Sequence, residues 1–124
     1  MRKQYHLQPS NNGFYAWDVD NLIEKSKKLP LIKIQLSTIS ELNQNYWYNN
    51  TNQPTCISII EHIKLINNID FEYPIILSAE NFVMDGMHRV CKAVLNNLTT
   101  INAVKFPTTP IPDYEDVYPE DLPY

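Results

Sequence analysis

The chain is poor in the features that define several functional classes, and each shortage excludes something. Among 124 residues there are two cysteines, Cys56 and Cys91, without the spacing of a metal site. Both fall on apolar helical stripes, so buried free thiols are expected rather than a disulfide or a reactive pair. No apolar run approaches the ~20 residues that a membrane helix needs, and Met1 to His6 leads into polar residues instead of an apolar leader. A cytoplasmic protein with no membrane partner is expected. Lys and Arg are absent from residues 107–124, where Asp113, Glu115, Asp116, Glu120 and Asp121 stand. That segment contributes −5 to a net charge of −4, which leaves +1 for residues 1–106. A nearly neutral body without a basic cluster makes duplex DNA an unfavourable partner, because phosphate neutralisation supplies much of that affinity. There is no internal repeat and no sign of a second domain.

What is present reads as one globular domain, since 44% of residues are hydrophobic and 19% charged. Residues 1–13 are polar, with Pro9 and a Ser10-Asn11-Asn12-Gly13 turn signal, and read as a flexible arm. A domain over 14–106 follows. Its first helix is expected over about 18–28, with Asp18 as N-cap, Trp17 and Leu22 at the spacing of a hydrophobic staple, and Pro30 as the stop. Ile32, Ile34 and Leu36 alternate with polar residues as in a half-buried strand. Ser37 to Leu42 suits a single helical turn.

The long loop 43–54 sets Tyr46-Trp47-Tyr48 among amides, either as a cover for the core edge or as a stacking wall for a substrate. A helix starting at Thr55 or Ser58 would bury Cys56, Ile59, Ile60, Ile63 and Ile66, with His62 beside that stripe as a structural histidine. Ile75-Ile76-Leu77 is all apolar, as in an inner strand, and a turn over 78–81 returns the chain as Phe82-Val83-Met84. After a helix from Met87, Asn96-Asn97 forms the C-cap and 100–106 the last strand. Five of the nine prolines lie in 107–124, an acidic, tyrosine-bearing tail expected to lack regular structure. It is expected to pack along the domain surface, either without occluding the site or covering it, or else to stay free as a segment for a protein partner.

The organising stretch is Asp85-Gly86-Met87-His88-Arg89, where one of only two glycines breaks a strand and a helical pattern resumes at once. Met87, Val90, Cys91 and Val94 form the core face of that helix. In its first turn, free backbone N–H groups, the positive end of the helix dipole and a guanidinium suit a phosphate. Simpler roles exist for each residue: Asp85 as a cap, Gly86 for a positive φ, His88 packed on the sheet, Arg89 paired with Glu80 or the acidic tail.

The order of strand, excursion, apolar helix, hairpin, Asp85-Gly86-Met87-His88-Arg89, helix and strand over about 29–106 resembles the ParB/sulfiredoxin superfamily, marked by a Gly-x-x-Arg or Gly-x-His-Arg turn. The resemblance implies a single-domain α+β fold, with helices on a small mixed sheet. It also implies a nucleotide-phosphate site at Gly86, Met87, His88 and Arg89, with ATP or another nucleoside phosphate and Mg2+ as cofactors. Sulfiredoxins carry their reactive cysteine where Met87 stands, and a thioether cannot replace it. The Gly-Glu-Arg-Arg motif and the following DNA-binding domain of chromosome-partitioning ParB proteins are both missing.

Free serine kinases of the superfamily have the Asp-Gly-x-His-Arg version, matched at Asp85, Gly86, His88 and Arg89, and a catalytic glutamate after the first strand, where Glu41 stands. By that resemblance Glu41, Asp85 and His88 are the catalytic candidates. Asp85 is also the metal ligand, and Tyr46 and Trp47 are the substrate wall. The expected activity is phosphotransfer to a small-molecule or protein hydroxyl. A binding or regulatory module using the same anion site is the alternative, and the nuclease activity attached to the superfamily by name is disfavoured by the neutral body.

Overall fold

The structure, a computed structural model, describes residues 3–50 and 52–124. Met1 and Arg2 of the expected arm, and Thr51 of the amide-rich loop, lie outside the described residues. The fold is α+β, with two sheets and three α-helices among the described residues. β1 (Tyr5–Ser10) and β2 (Gly13–Asp18) form a hairpin that leads straight into α1 (Val19–Ser26). After β3 (Ile32–Gln35) come two short 3-10 turns, Leu36–Thr38 and Ser40–Asn43, and a long loop to α2 (Cys56–Asn67). β4 (Ile75–Leu77), β5 (Val83–Asp85), α3 (Met87–Leu95) and β6 (Thr100–Lys105) complete the second sheet, and β7 (Tyr114–Val117) returns to the first.

The second sheet has the order β3-β6-β4-β5, in which only the β6–β4 pair is parallel. It is covered on both faces, which explains why Ile75-Ile76-Leu77 has no polar alternation. Ile75, Leu77 and Val83 belong to one buried cluster with Met87, Val90 and Ala93 of α3. Ile76, Met84 and Val104 belong to the other, with Trp17 and Leu22. The expected staple is thus part of the second core. Asp18 caps α1 by accepting from the Asp20 N–H at 2.9 Å. The helix ends at Ser26, ahead of Pro30.

Both chain ends depart from expectation. In place of a flexible arm, β1 pairs along its whole length with β2 around a two-residue Asn11-Asn12 turn. Pro9 is tolerated because β1 is an edge strand of the order β1-β2-β7. The tail, expected to be irregular, supplies β7 from the four residues Tyr114–Val117 that carry no proline. Trp17 Nε1 donates to the Pro110 carbonyl at 2.8 Å, the Asp113 N–H donates to the Ala16 carbonyl at 2.9 Å, and Leu122 is buried. The acids of the tail act locally as well, since Asp113 accepts from the Asp18 N–H and Asp116 from Ser10. Leu122→Ala is expected to cost about 2 kcal/mol, measured as a lower urea midpoint. An unchanged midpoint would mean that backbone bonding alone holds the tail.

α2 overturns the expected buried face. None of its residues is buried, Cys56 is exposed, and Ile57, Ile59, Ile60, Ile63 and Leu65 are 43–66% exposed. The partly buried positions are Ser58, His62 and Ile66, one turn apart along a single line. The reason is the loop before it: the Tyr48 hydroxyl lies 3.1 Å from Ser58 Oγ, and Trp47 stacks on His62. α2 therefore docks on the aromatic loop with its mixed polar line and leaves its aliphatic sides in solvent. Its N-cap is Thr55, which accepts from the Ser58 N–H. Of the face assigned to α3, Met87 and Val90 are buried, Cys91 is half-buried and Val94 is exposed. Among the described residues no helix is long and apolar enough to cross a membrane.

Candidate functional site

The turn from β5 to α3 is built on Gly86, whose φ of +106° is a conformation that side-chain-bearing residues rarely adopt. Gly86 is the N-cap residue of α3, and no side chain caps the first turn. A Cβ at Gly86 would meet Arg89 Nη1 and Ile75 Cγ2 at 2.7 Å each. Gly86→Ala is therefore expected to destabilise the fold by about 2 kcal/mol through backbone strain and overpacking. Guanidinium denaturation checks this, and unchanged stability would show that the turn relaxes freely.

Arg89 does not reach the position foreseen for it. Its Nη1 faces the Pro74 carbonyl at 3.3 Å and Asp85 Oδ2 at 3.5 Å, and it is not among the residues lining the cleft in front of the turn. The guanidinium braces the turn from behind. Among the described residues its acidic partner is Asp85 and neither Glu80 nor an acid of the tail, and Glu80 instead accepts from Thr109 at 2.8 Å.

Glu41 reaches the backbone of β5. It lies in the 3-10 turn after β3 and is only 5% exposed. Its Oε2 accepts the Val83 N–H at 2.7 Å, while Oε1 has no hydrogen-bond partner among the described residues. Tyr46 holds the same peptide from its other end, its hydroxyl donating to the Val83 carbonyl at 2.8 Å. Val83 and Asp85 are two residues apart on β5, roughly 7 Å along a strand. Burial pushes the Glu41 carboxyl up from its ordinary value, against the lowering effects of the Val83 hydrogen bond and of its own backbone N–H. Burial, with Glu41 and Asp85 nearby, also pushes the Tyr46 hydroxyl up.

These residues line one open cleft of about 520 Å3. It gathers Glu41, Tyr46, Trp47, Asp85, Gly86, Met87 and His88, so the structure brings together every candidate except Arg89. The wall also takes in residues from outside the motif, among them His6 and Gln8 of β1, which were not foreseen, and Tyr124 of the tail, for which covering the site was one expectation. Within the motif, His88 Nε2 lies 2.8 Å from His62 Nδ1, and Trp47 stacks on both rings. Burial, then the neighbouring His62 and Arg89, lower His88 to about 4. Burial also lowers His62, with Glu61 opposing. His62 thus has a titratable partner that its sequence neighbours do not reveal. The signal was its place at the centre of the Ser58, His62, Ile66 line.

Among the described residues no group of three or more His, Cys, Asp or Glu is gathered to hold a metal ion by protein ligands alone. Magnesium in phosphoryl-transfer sites commonly takes one or two carboxylates and completes its shell with phosphates and water, for which Asp85 is a suitable donor. Comparison with protein-family models, with curated proteins and with solved structures finds no match in any of the three.

Proposed function

We propose that the cleft binds a nucleoside phosphate and that the protein is a ParB/sulfiredoxin-like phosphotransferase acting on a small-molecule or protein hydroxyl. The observation that carries this reading is the buried Glu41 carboxyl, with one oxygen unpartnered among the described residues, in the same cleft as the start of α3, which no described side chain caps. An unpaired carboxylate oxygen away from water is costly, and a hydroxyl donor from an acceptor substrate would satisfy it. A phosphate at the first turn of α3 would meet backbone N–H groups and the positive end of the helix. The order β3, 3-10 turns, loop, α2, β4, β5, α3, β6 also supports the superfamily reading.

In this reading Glu41 takes the proton of the acceptor hydroxyl, and Gly86, Met87 and His88 position the phosphate through the turn. Asp85 would hold Mg2+, which when bound offsets charge on the phosphate oxygens. Arg89 contributes by fixing Asp85 and the turn. Trp47 and Tyr46 wall the cleft, and its volume falls within the range of small-ligand sites.

The test is thermal stabilisation by ATP, ADP, CTP or GTP with magnesium, followed by calorimetry. A nucleotide at a hundred times its Kd should stabilise the fold by about 2.7 kcal/mol. No stabilisation by any of the four at millimolar concentration would overturn the reading. A non-enzymatic binding module is the second reading, favoured by Tyr124 of the tail lining the same cleft. Nucleotide binding without product would select it. Nuclease action is disfavoured by the nearly neutral charge, +1, of residues 1–106.

A further inference from the structure

The contact between His62 and His88 has a geometry that packing alone does not require. The two imidazoles are nearly coplanar, at 21°, with centroids 5.0 Å apart and Nδ1 of one facing Nε2 of the other at 2.8 Å. Trp47 lies parallel to both, 4.2 Å from His62 and 4.7 Å from His88, at 19° and 16°. If the indole were sandwiched between them, the imidazoles would be nearly twice as far apart as they are. Both therefore lie on one face of Trp47, edge to edge, as a hydrogen-bonded pair on a flat support.

A hydrogen bond between two imidazoles fixes their tautomers jointly. One nitrogen of each ring is consumed by the pair, so His88 has only Nδ1 left for another partner and His62 only Nε2. His88 lines the cleft, whereas His62 does not. His62 sits on α2, whose surroundings are solvent rather than core. The pair thus spans from the cleft to the outer layer of the protein.

We propose that His88 and His62 form a two-imidazole proton relay between the cleft and solvent, with Trp47 holding the rings coplanar. His88 Nδ1 accepts a proton from the cleft, the Nε2 proton of His88 passes to His62 Nδ1, and the Nε2 proton of His62 leaves to water. Each ring gains one proton and loses one. The reverse passage, from water to His62 Nε2 and from His88 Nδ1 to the cleft, restores the starting tautomers. His62 acts through His88 and is a positioning residue. Under the phosphotransfer reading, on which the purpose of the relay rests, the outward proton is the one that Glu41 takes from the acceptor hydroxyl and gives up across the cleft, and the inward one returns once the cleft has emptied.

The surroundings allow this passage. The charged groups near the pair are Glu61 beside His62 on α2 and Arg89 beside His88 on α3, with Glu41 and Asp85 along the cleft. The loop contributes Tyr48, edge-on to His62 at 5.6 Å, whose hydroxyl is engaged with Ser58. Burial keeps His88 neutral at pH 7, as a relay member must be.

The test needs no nucleotide. In the full chain labelled with 15N, a through-hydrogen-bond nitrogen coupling is expected between His62 Nδ1 and His88 Nε2. Exchange of the His88 ring N–H with water is then compared in the wild type, His62→Phe and His62→Gln. Phe keeps a ring against Trp47 without a nitrogen, and Gln keeps a hydrogen bond without a second tautomer, so both should slow exchange at least about tenfold. Unchanged exchange in either folded variant overturns the relay, and rescue by Gln assigns His62 a purely structural role. Should neither variant fold, absence of the coupling in the wild type overturns it. A protein that shows the coupling and the slowed exchange but binds no nucleotide would keep the relay and lose the phosphotransfer reading.

Discussion

Glu41→Gln is expected to lower phosphoryl transfer by roughly 10²–10⁴-fold, the scale of general base catalysis, with nucleotide affinity nearly unchanged. The amide is nearly isosteric but cannot accept the acceptor's proton. Single-turnover kinetics and calorimetry on the same variant separate the two quantities. Equal loss of binding and turnover would make Glu41 part of the binding scaffold and favour the non-enzymatic module.

A second readout is independent of turnover. The folded carboxyl titrates above its ordinary value of 4.5, so folding takes up a proton at pH values between the two. The associated stability is fully present below 4.5 and is lost as pH rises through the folded value. Glu41→Gln, which stays neutral, should therefore gain stability over the wild type as pH rises to neutral. A stability difference that does not vary with pH would mean that Glu41 is not desolvated in the folded chain.

Much of the candidate site was legible because its signals are local. The break at Gly86 between an apolar strand and a resumed helical pattern is contained in nine residues, and the structure builds strand, left-handed N-cap and helix there. The all-apolar Ile75-Ile76-Leu77 announced a strand covered on both faces. Glu41 was placed by the family resemblance, and in the structure it accepts the Val83 N–H and lines the same cleft as Asp85.

What was missed depends on partners distant in sequence. Proline frequency argued against order in the tail, yet the β2 edge, with Ala16 opposite Tyr114, recruits the proline-free stretch within it. Without that partner the first thirteen residues also look like a loose arm. Isoleucine spacing on α2 satisfied the helical period, but period alone cannot show that α2 would meet Trp47, Tyr48 and His88 of α3 through Ser58 and His62 instead. Arg89 was misplaced for a related reason. A guanidinium in the first turn of a helix can face outward to a ligand or backward to the preceding strand, and the choice is made by Asp85 and the Pro74 carbonyl.

The hairpin that replaces the expected arm also carries the largest stability effect foreseen with pH. His6 of β1 is buried, 7% exposed, with its ring 5.5 Å from that of Trp17. Its Nε2 lies 3.1 Å from Gln8 Nε2, an amide nitrogen that donates only while the imidazole nitrogen is bare. Burial lowers His6 from 6.5 to about 4. The unfolded chain therefore binds a proton that the folded chain refuses between those values. The corresponding stability is present above pH 6.5 and is lost as pH falls through the folded value, a loss of about 3 kcal/mol for a shift of this size. His88, lowered to about 4, acts in the same direction. Urea unfolding from pH 7 to pH 4 should show this decline, and His6→Leu, which has no proton to take up, should flatten it by a similar amount. A folded protein in which NMR finds His6 titrating near 6.5 would refute the argument. The hairpin would then leave the His6 side of the cleft open to water.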